Sequence, residues 1–171
     1  LELLARNAKI LRSIVSQIAR HCPDAILLIA TNPVDVLTYI ALQESKFPPS
    51  RVIGSGTILD TSRFRHLLGQ HYNVDARSVH AYIVGEHGDS EIALWSLANI
   101  GGVRLQQFAP LQNKRYNQEE MDKIFVGVRD AAYEIIKRKG ATYYAIGLGL
   151  LSIAEAILGD HRTVLSVSTL M

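Results

Sequence analysis

Three side chains in this sequence are spaced to do proton chemistry on a small acid. His87 lies in Gly85-Glu86-His87-Gly88-Asp89-Ser90-Glu91, a glycine-flanked loop after the strand-like run Val79 to Val84. A histidine held at a strand end with little crowding suits a proton donor that must meet a substrate. A lone Gly-x-His-Gly is more often a polar turn with a solvated histidine. The upstream segment Leu59-Asp60-Thr61-Ser62-Arg63-Phe64-Arg65 changes that balance. Asp60 offers a carboxylate that can accept the Nδ1 proton of His87, fixing its tautomer and favouring its charged form. His87 would then carry a proton on Nε2 and serve as a general acid. Arg63 can grip a substrate carboxylate through two parallel bonds. Asp60 and Arg63 share a face at a helix start. Each also has a structural explanation: a first-turn carboxylate complements the helix dipole, and an exposed ion pair contributes little.

Two further positions are candidates on placement. Asn32 lies just beyond the carboxyl end of the apolar run Ala25 to Ala30. In open parallel sheets that edge faces the ligand crevice, and an amide there can donate to a carbonyl or hydroxyl oxygen. An Asn-Pro turn explains it equally well. Thr142 follows Gly140 between two helical patterns, where it can line a pocket or merely cap a helix.

The elements needed to hold these residues can be read in order. An amphipathic helix spans residues 1–21, with Leu3, Leu4, Ile10, Leu11, Ile14, Val15 and Ile18 at helical spacing. Residues 25–30 read as a buried parallel strand, 34–45 as a helix with Pro33 in its first turn, and 51–54 as a second strand. This alternation predicts an α/β parallel sheet. From Gly54-Ser55-Gly56-Thr57 onward the pattern becomes α+β. A helix is expected over 60–72, a turn over 73–77, one strand over 79–84 and mixed character over 91–97. Another turn is expected at Gly101-Gly102-Val103, then a single helix over 118–139 with Met121, Ile124, Phe125, Val128, Ala132, Ile135 and Ile136 on one face. A helix over 141–158 and a final strand over 163–171 complete the chain.

With 171 residues, 48% of them hydrophobic, the chain can bury a real core. Its net charge of +2 and the lack of a long basic run argue against nucleic acid. The apolar stretches fall short of a bilayer span, and no signal peptide opens the sequence, so no membrane role is expected. The one cysteine, Cys22, excludes an internal disulfide and fits a reducing cytoplasm. The first helical pattern has no cap before it, and the last strand has no following partner. Both features are expected of an internal piece of a longer protein.

Taken together the motifs resemble the L-lactate dehydrogenase family, within the lactate and malate dehydrogenase superfamily. Ala30-Thr31-Asn32-Pro33-Val34-Asp35, Gly54 to Arg65, Gly85 to Glu91 and Lys139-Gly140-Ala141-Thr142-Tyr143-Tyr144-Ala145-Ile146-Gly147 match its pattern in order and spacing. The likeness runs the whole chain. It implies the second half of a Rossmann-type parallel sheet over 1–57, the remainder of a dinucleotide-binding domain, and a mixed α+β catalytic domain over 58–171. It implies NAD as cofactor and interconversion of pyruvate and L-lactate. His87 is then the proton donor and acceptor, Asp60 its orienting carboxylate, and Arg63 the substrate-carboxylate ligand. Asn32 bonds the substrate oxygen, Thr31 and Asn32 lie near the cofactor, and Thr142 lines the substrate pocket. No metal is implied. Arg65 and His80 resemble the pair that binds fructose 1,6-bisphosphate between subunits in allosteric bacterial members, and a homodimer or homotetramer is implied. The glycine-rich dinucleotide fingerprint and the substrate-closing loop have no counterpart in these residues. That loop discriminates pyruvate from oxaloacetate, so a lactate-dehydrogenase-like malate dehydrogenase stays open, as does a non-catalytic relic. The isolated chain is expected to be inactive.

Overall fold

The computed structural model describes residues 2–170, leaving aside the side chain of Leu3. The chain forms two compact units, Leu1–Gly56 with Ser152–Met171 and Thr57–Leu151. The first is α/β and the second α+β, the order of classes expected from the sequence.

The first unit opens with helix α1 (Glu2–His21), followed by strand β1 (Leu27–Ile29), helix α2 (Val34–Ser45) and strand β2 (Val52–Gly54). β1 and β2 are parallel, pairing Leu27 with Val52 and Ile29 with Gly54. Only part of the apolar pattern of α1 turns inward. Leu4, Leu11 and Ile18 pack with buried Val15 against the sheet and α2, while Ile10 and Ile14 stay half exposed. Seven apolar positions make a stripe wider than the contact that α2 and the short sheet provide. In β1, Leu27 and Ile29 are buried, but Ile26 just before it is exposed, so the run expected as a buried strand is only partly buried. Pro33 stands before α2 as its N-cap, in extended conformation after a cis Asn32-Pro33 bond, and not inside the first turn. Residues 49–51 form a 3-10 turn, which shortens β2 by one residue from its expected start.

The expected final strand is not formed. Residues 163–170 form no regular element, and one antiparallel bridge joins Ser168 to Gly54. Both backbone bonds of that bridge are present, at 2.9 and 3.0 Å. The alternating polarity of this segment is strand-like, but a ladder needs a neighbouring strand in register and only Gly54 supplies one here. The close approach explains the glycine: a Cβ on Gly54 would collide with Thr38 Oγ1 and with Ser168. Ser168 Oγ also hydrogen-bonds Asp35.

The second unit begins with α3 (Ile58–Tyr72) and continues with short strands β3 (Val79–His80), β4 (Ile83–Val84), β5 (Ile92–Ala93), β6 (Asn99–Ile100) and β7 (Val103–Arg104). The single strand expected over 79–84 is two, because Val79–His80 pairs with β6 and Ile83–Val84 pairs with β5. Helix α4 (Leu105–Leu111) has no expected counterpart. It holds Pro110 near its end and buries only Leu105 and Ala109, too short a pattern to show a period. The long helix expected over 118–139 divides at Asp130 into α5 (Gln118–Arg129) and α6 (Ala131–Lys139). Asp130 pairs with the guanidinium of Arg129 at 2.9 Å, and aspartate is a weak helix former at an interior position. Gly140 ends α6 in the left-handed region at φ 82°. Residues 141–143 remain irregular before α7 (Tyr144–Leu158). The core of this unit gathers Phe64, Leu68 and Tyr72 of α3, Ile83 of β4, and Met121 and Val128 of α5.

Candidate active site

Helix α3 presents Asp60 and Arg63, and the loop after β4 presents His87. Two threonines, Thr57 just before α3 and Thr61 within it, fix their relation. Thr57 Oγ1 donates to the carbonyl of Ile83 at 2.7 Å. Thr61 Oγ1 accepts from the Ile83 amide at 3.0 Å and lies 3.3 Å from its carbonyl oxygen. The start of β4 is thus pinned to the first turn of α3 and the residue before it. Phe64 is fully buried and meets the Trp95 ring edge-on at 4.9 Å. After β4 the chain turns at Gly85, whose φ of 93° is strained for any side chain. The loop closes through the Glu91 amide donating to the Gly88 carbonyl at 3.1 Å, and Ser90 Oγ donates to Glu86 at 2.8 Å. Tyr133 of α6 holds Asp89 through its hydroxyl at 3.0 Å.

This framework sets His87 Nδ1 2.6 Å from Asp60 Oδ2. An ionised carboxylate only accepts, so Nδ1 is the donor and proton exchange falls to Nε2. The other oxygen of Asp60 lies 3.6 Å from Arg63 Nη1. Asp60 is 3% exposed, so its charge is held by these two partners and not by water. Arg63 is half-buried. The set can hold a proton on an imidazole and place a guanidinium near an incoming acid.

A fourth group was not singled out by its sequence. Glu91 is 4% exposed, and its Oε1 has no hydrogen-bond partner. One polar atom each of Asp60, His87 and Glu91 lie within 4.8 Å of one another. Burial pushes the Glu91 carboxyl up to about 7, with the charge of Asp60 adding to the effect, while His87, Arg63 and Arg129 oppose it. Such a group of donors also suits a cation, but Nδ1 and Asp60 already engage each other, and Arg63 brings positive charge to the same carboxylate. We do not read these residues as metal ligands. Sequence polarity misleads here, since Glu91 is buried while its neighbour Ile92 is 57% exposed.

The remaining candidates stand elsewhere. Arg65, also on α3, donates through Nε to the Ala81 carbonyl at 2.9 Å and stacks over Tyr82, 4.6 Å from the ring centroid. This brings it to the segment that begins with exposed His80 on β3. Thr142 is exposed in the irregular stretch before α7. In the first unit, Thr31 and Asn32 are exposed where β1 ends beside parallel β2, and the Asn32 carbonyl accepts from Asn7 Nδ2 at 3.1 Å. A cofactor bound at the carboxyl edge of that sheet would meet these two polar residues, so their chemistry fits a dinucleotide.

Comparison with known proteins identifies the family. Residues 57–171 match the family model of the lactate/malate dehydrogenase alpha/beta C-terminal domain, and residues 1–54 match the NAD binding domain of the same family. The chain is 54% identical over 168 residues to L-lactate dehydrogenase 1 of Bacillus cereus, covering 98% of this chain and 53% of that protein. It is 50% identical over 171 residues to L-lactate dehydrogenase of Clostridium botulinum, covering 100% of this chain and 54% of that one. It therefore spans about half the length of the curated relatives it matches. A lactate dehydrogenase from a Medee basin deep-sea metagenome library superimposes with a TM-score of 0.94 at 48% identity, over 98% of this chain and 53% of that one. The minor L-lactate dehydrogenase of Enterococcus mundtii, solved with ligands bound, also gives 0.94, at 45% identity over 99% of this chain and 54% of that one. Family models across nearly all of the chain and relatives at half identity lead to one conclusion: the chain belongs to the lactate/malate dehydrogenase family.

Proposed function

We propose that this chain supplies the proton-transfer and acid-binding residues of an NAD-dependent L-lactate dehydrogenase that interconverts pyruvate and L-lactate. The observation that carries the reading is the 2.6 Å contact of His87 Nδ1 with buried Asp60, beside Arg63. His87 Nε2 donates its proton to the keto oxygen during reduction and takes it back during oxidation. Asp60 holds the imidazole in the required tautomer and stabilises its charged form. Arg63 binds and orients the substrate carboxylate. NADH, when bound, supplies the hydride. The family resemblance assigns Asn32 to the substrate oxygen, Thr31 and Asn32 to the cofactor, and Thr142 to the pocket lining.

Three further points belong to this proposal. Arg65 and His80 bind a bisphosphate effector, fructose 1,6-bisphosphate, a role supported by the approach of Arg65 to the His80 segment. The protein self-associates as a dimer or tetramer, supported by half-exposed Ile10 and Ile14 and by exposed Leu148 and Leu158. It works in the cytoplasm, in keeping with unpaired Cys22. Among the described residues no helix is long and apolar enough to cross a membrane. Without a Gly-x-Gly-x-x-Gly in its sequence, the 171-residue chain alone is expected to hold NADH weakly and not to turn over.

The test is NADH oxidation by the family-length protein that carries this chain, with pyruvate and with oxaloacetate, each with and without fructose 1,6-bisphosphate. A strong preference for pyruvate supports the lactate reading, and activation by the bisphosphate supports Arg65 and His80. A preference for oxaloacetate makes the protein a malate dehydrogenase with the same roles for His87, Asp60 and Arg63. No reduction of either acid overturns the proposal.

A further inference from the structure

Glu91 is the one residue in the His87 cluster whose presence the proposed reaction does not explain. Its side chain is buried, and Oε1 is without a hydrogen-bond partner. Leaving a carboxyl unsatisfied in the interior is costly, and a glutamine or an apolar residue at the same point would avoid a buried ionisable group. The backbone also commits Glu91 to this place. Its amide closes the loop onto Gly88, and Ile92 next to it opens β5, paired with Val84. The loop that carries His87 therefore carries Glu91 back toward Asp60, and one polar atom of each of the three lies within 4.8 Å of the others.

We propose that Glu91 is a positioning residue that acts through His87, its own charge setting how firmly the His87–Asp60 pair holds the transferable proton. The proposal rests on the reading of His87 as proton donor given above. Ionised Glu91 is a second negative charge near the imidazole and stabilises the imidazolium; protonated Glu91 withdraws that support. The groups that face it are Asp60 and Arg63 from α3, His87 from its own loop and Arg129 from α5. Asp60 opposes ionisation of Glu91, and the three cationic groups favour it. Because burial holds the Glu91 carboxyl up to about 7, its charge develops as pH rises through neutrality. That is the range in which an ordinary imidazole gives up its proton. Glu91 and His87 then titrate as a coupled pair, and the acid form of His87 persists to higher pH than Asp60 alone would secure.

The experiment has two arms. In the 171-residue chain, the carboxyl carbon of Glu91 and the imidazole of His87 are followed by NMR across pH 4 to 10, in the native sequence, Glu91→Gln and Glu91→Asp. The expected result is a Glu91 midpoint near neutrality and a His87 midpoint about one unit lower in Glu91→Gln, with partial recovery in Glu91→Asp. Glu91→Met, nearly the same size, serves in place of Glu91→Gln if the amide variant does not fold. In the family-length protein, the pH profile of kcat/KM for keto-acid reduction should show its alkaline limb displaced downward by the same amount. A Glu91 midpoint in the ordinary carboxylate range, or a His87 midpoint unmoved by Glu91→Gln, overturns the proposal. So does a variant that loses rate equally at every pH, which is what a merely structural residue would do. The NMR arm needs no turnover. An inactive protein in which the His87 midpoint still responds to Glu91 would sink the dehydrogenase reading and leave the coupling standing.

Discussion

Asp60 and Asp75 each pair with an arginine of the second unit, and the better-formed pair is the one without an evident task. Asp75 accepts from Arg77 Nε at 3.1 Å and Nη2 at 2.9 Å, and its Oδ1 also accepts from the Arg77 amide at 2.8 Å. These bonds hold its carboxyl down at about 2. Asp60 meets Arg63 only at 3.6 Å. The difference lies in the surroundings. Arg77 is exposed, so water and salt screen the charge and the pair does little beyond shaping a 3-10 turn. Asp60 is buried and shared between an imidazole and a guanidinium, so its charge acts on the side chains around it with little screening by water. A short ion pair marks local geometry; a buried carboxylate shared by an imidazole and a guanidinium marks a candidate site.

The sharpest way to break the comparison is Asp60→Asn in the family-length protein. The amide can no longer fix the donor tautomer at Nδ1, and kcat should fall on the order of a thousandfold. A loss smaller than about tenfold would mean that the 2.6 Å contact does no catalytic work. Next in size is Arg63→Lys. It keeps the charge but loses the planar fork, and kcat/KM for the keto acid should drop by about 30-fold. Unchanged kinetics would move the substrate carboxylate to another residue.

A third prediction concerns stability and sharpens the role of burial. Glu91 has its folded midpoint raised to about 7 from an ordinary value of 4.5. The folded state then binds the proton more tightly than the unfolded one. The resulting stabilisation is fully present below about pH 4.5 and is lost as pH rises to about 7, amounting to roughly 3 kcal/mol over that window. Thermal melts of the native chain should fall across that range relative to Glu91→Gln, and parallel curves for the two would contradict the burial argument. Smallest of all is Asp75→Asn. Activity should stay within about twofold of native and the melting temperature should shift less than for Glu91→Gln at neutral pH, because the pair is exposed. A larger loss would show that exposed pairs of this kind hold the site together.

The site was legible to the extent that its residues sit in local motifs. His87 between glycines, and Asp60 and Arg63 on one turn of α3, follow from spacing, since three residues make nearly one helical turn. Glu91 could be seen in the same motif, yet its burial could not. Polarity places a glutamate outside and an isoleucine inside, and here the neighbours Glu91 and Ile92 do the reverse. Thr57 and Thr61 carry no signal of their role, because only the fold brings both hydroxyls to the backbone of Ile83.

The sequence by itself determined the two fold classes, the bounds of α2, the glycine stop of α6 and the family to which the chain belongs. Each depends on local propensity or on motif order along the chain. Only the tertiary structure decided that 79–84 makes two strands with different partners, that 163–170 forms one bridge and no ladder, and that Glu91 lies against Asp60 and His87. These depend on what a segment meets across the fold. Strand pairing and the burial of a charge are properties of two distant stretches together, and neither stretch carries the answer alone.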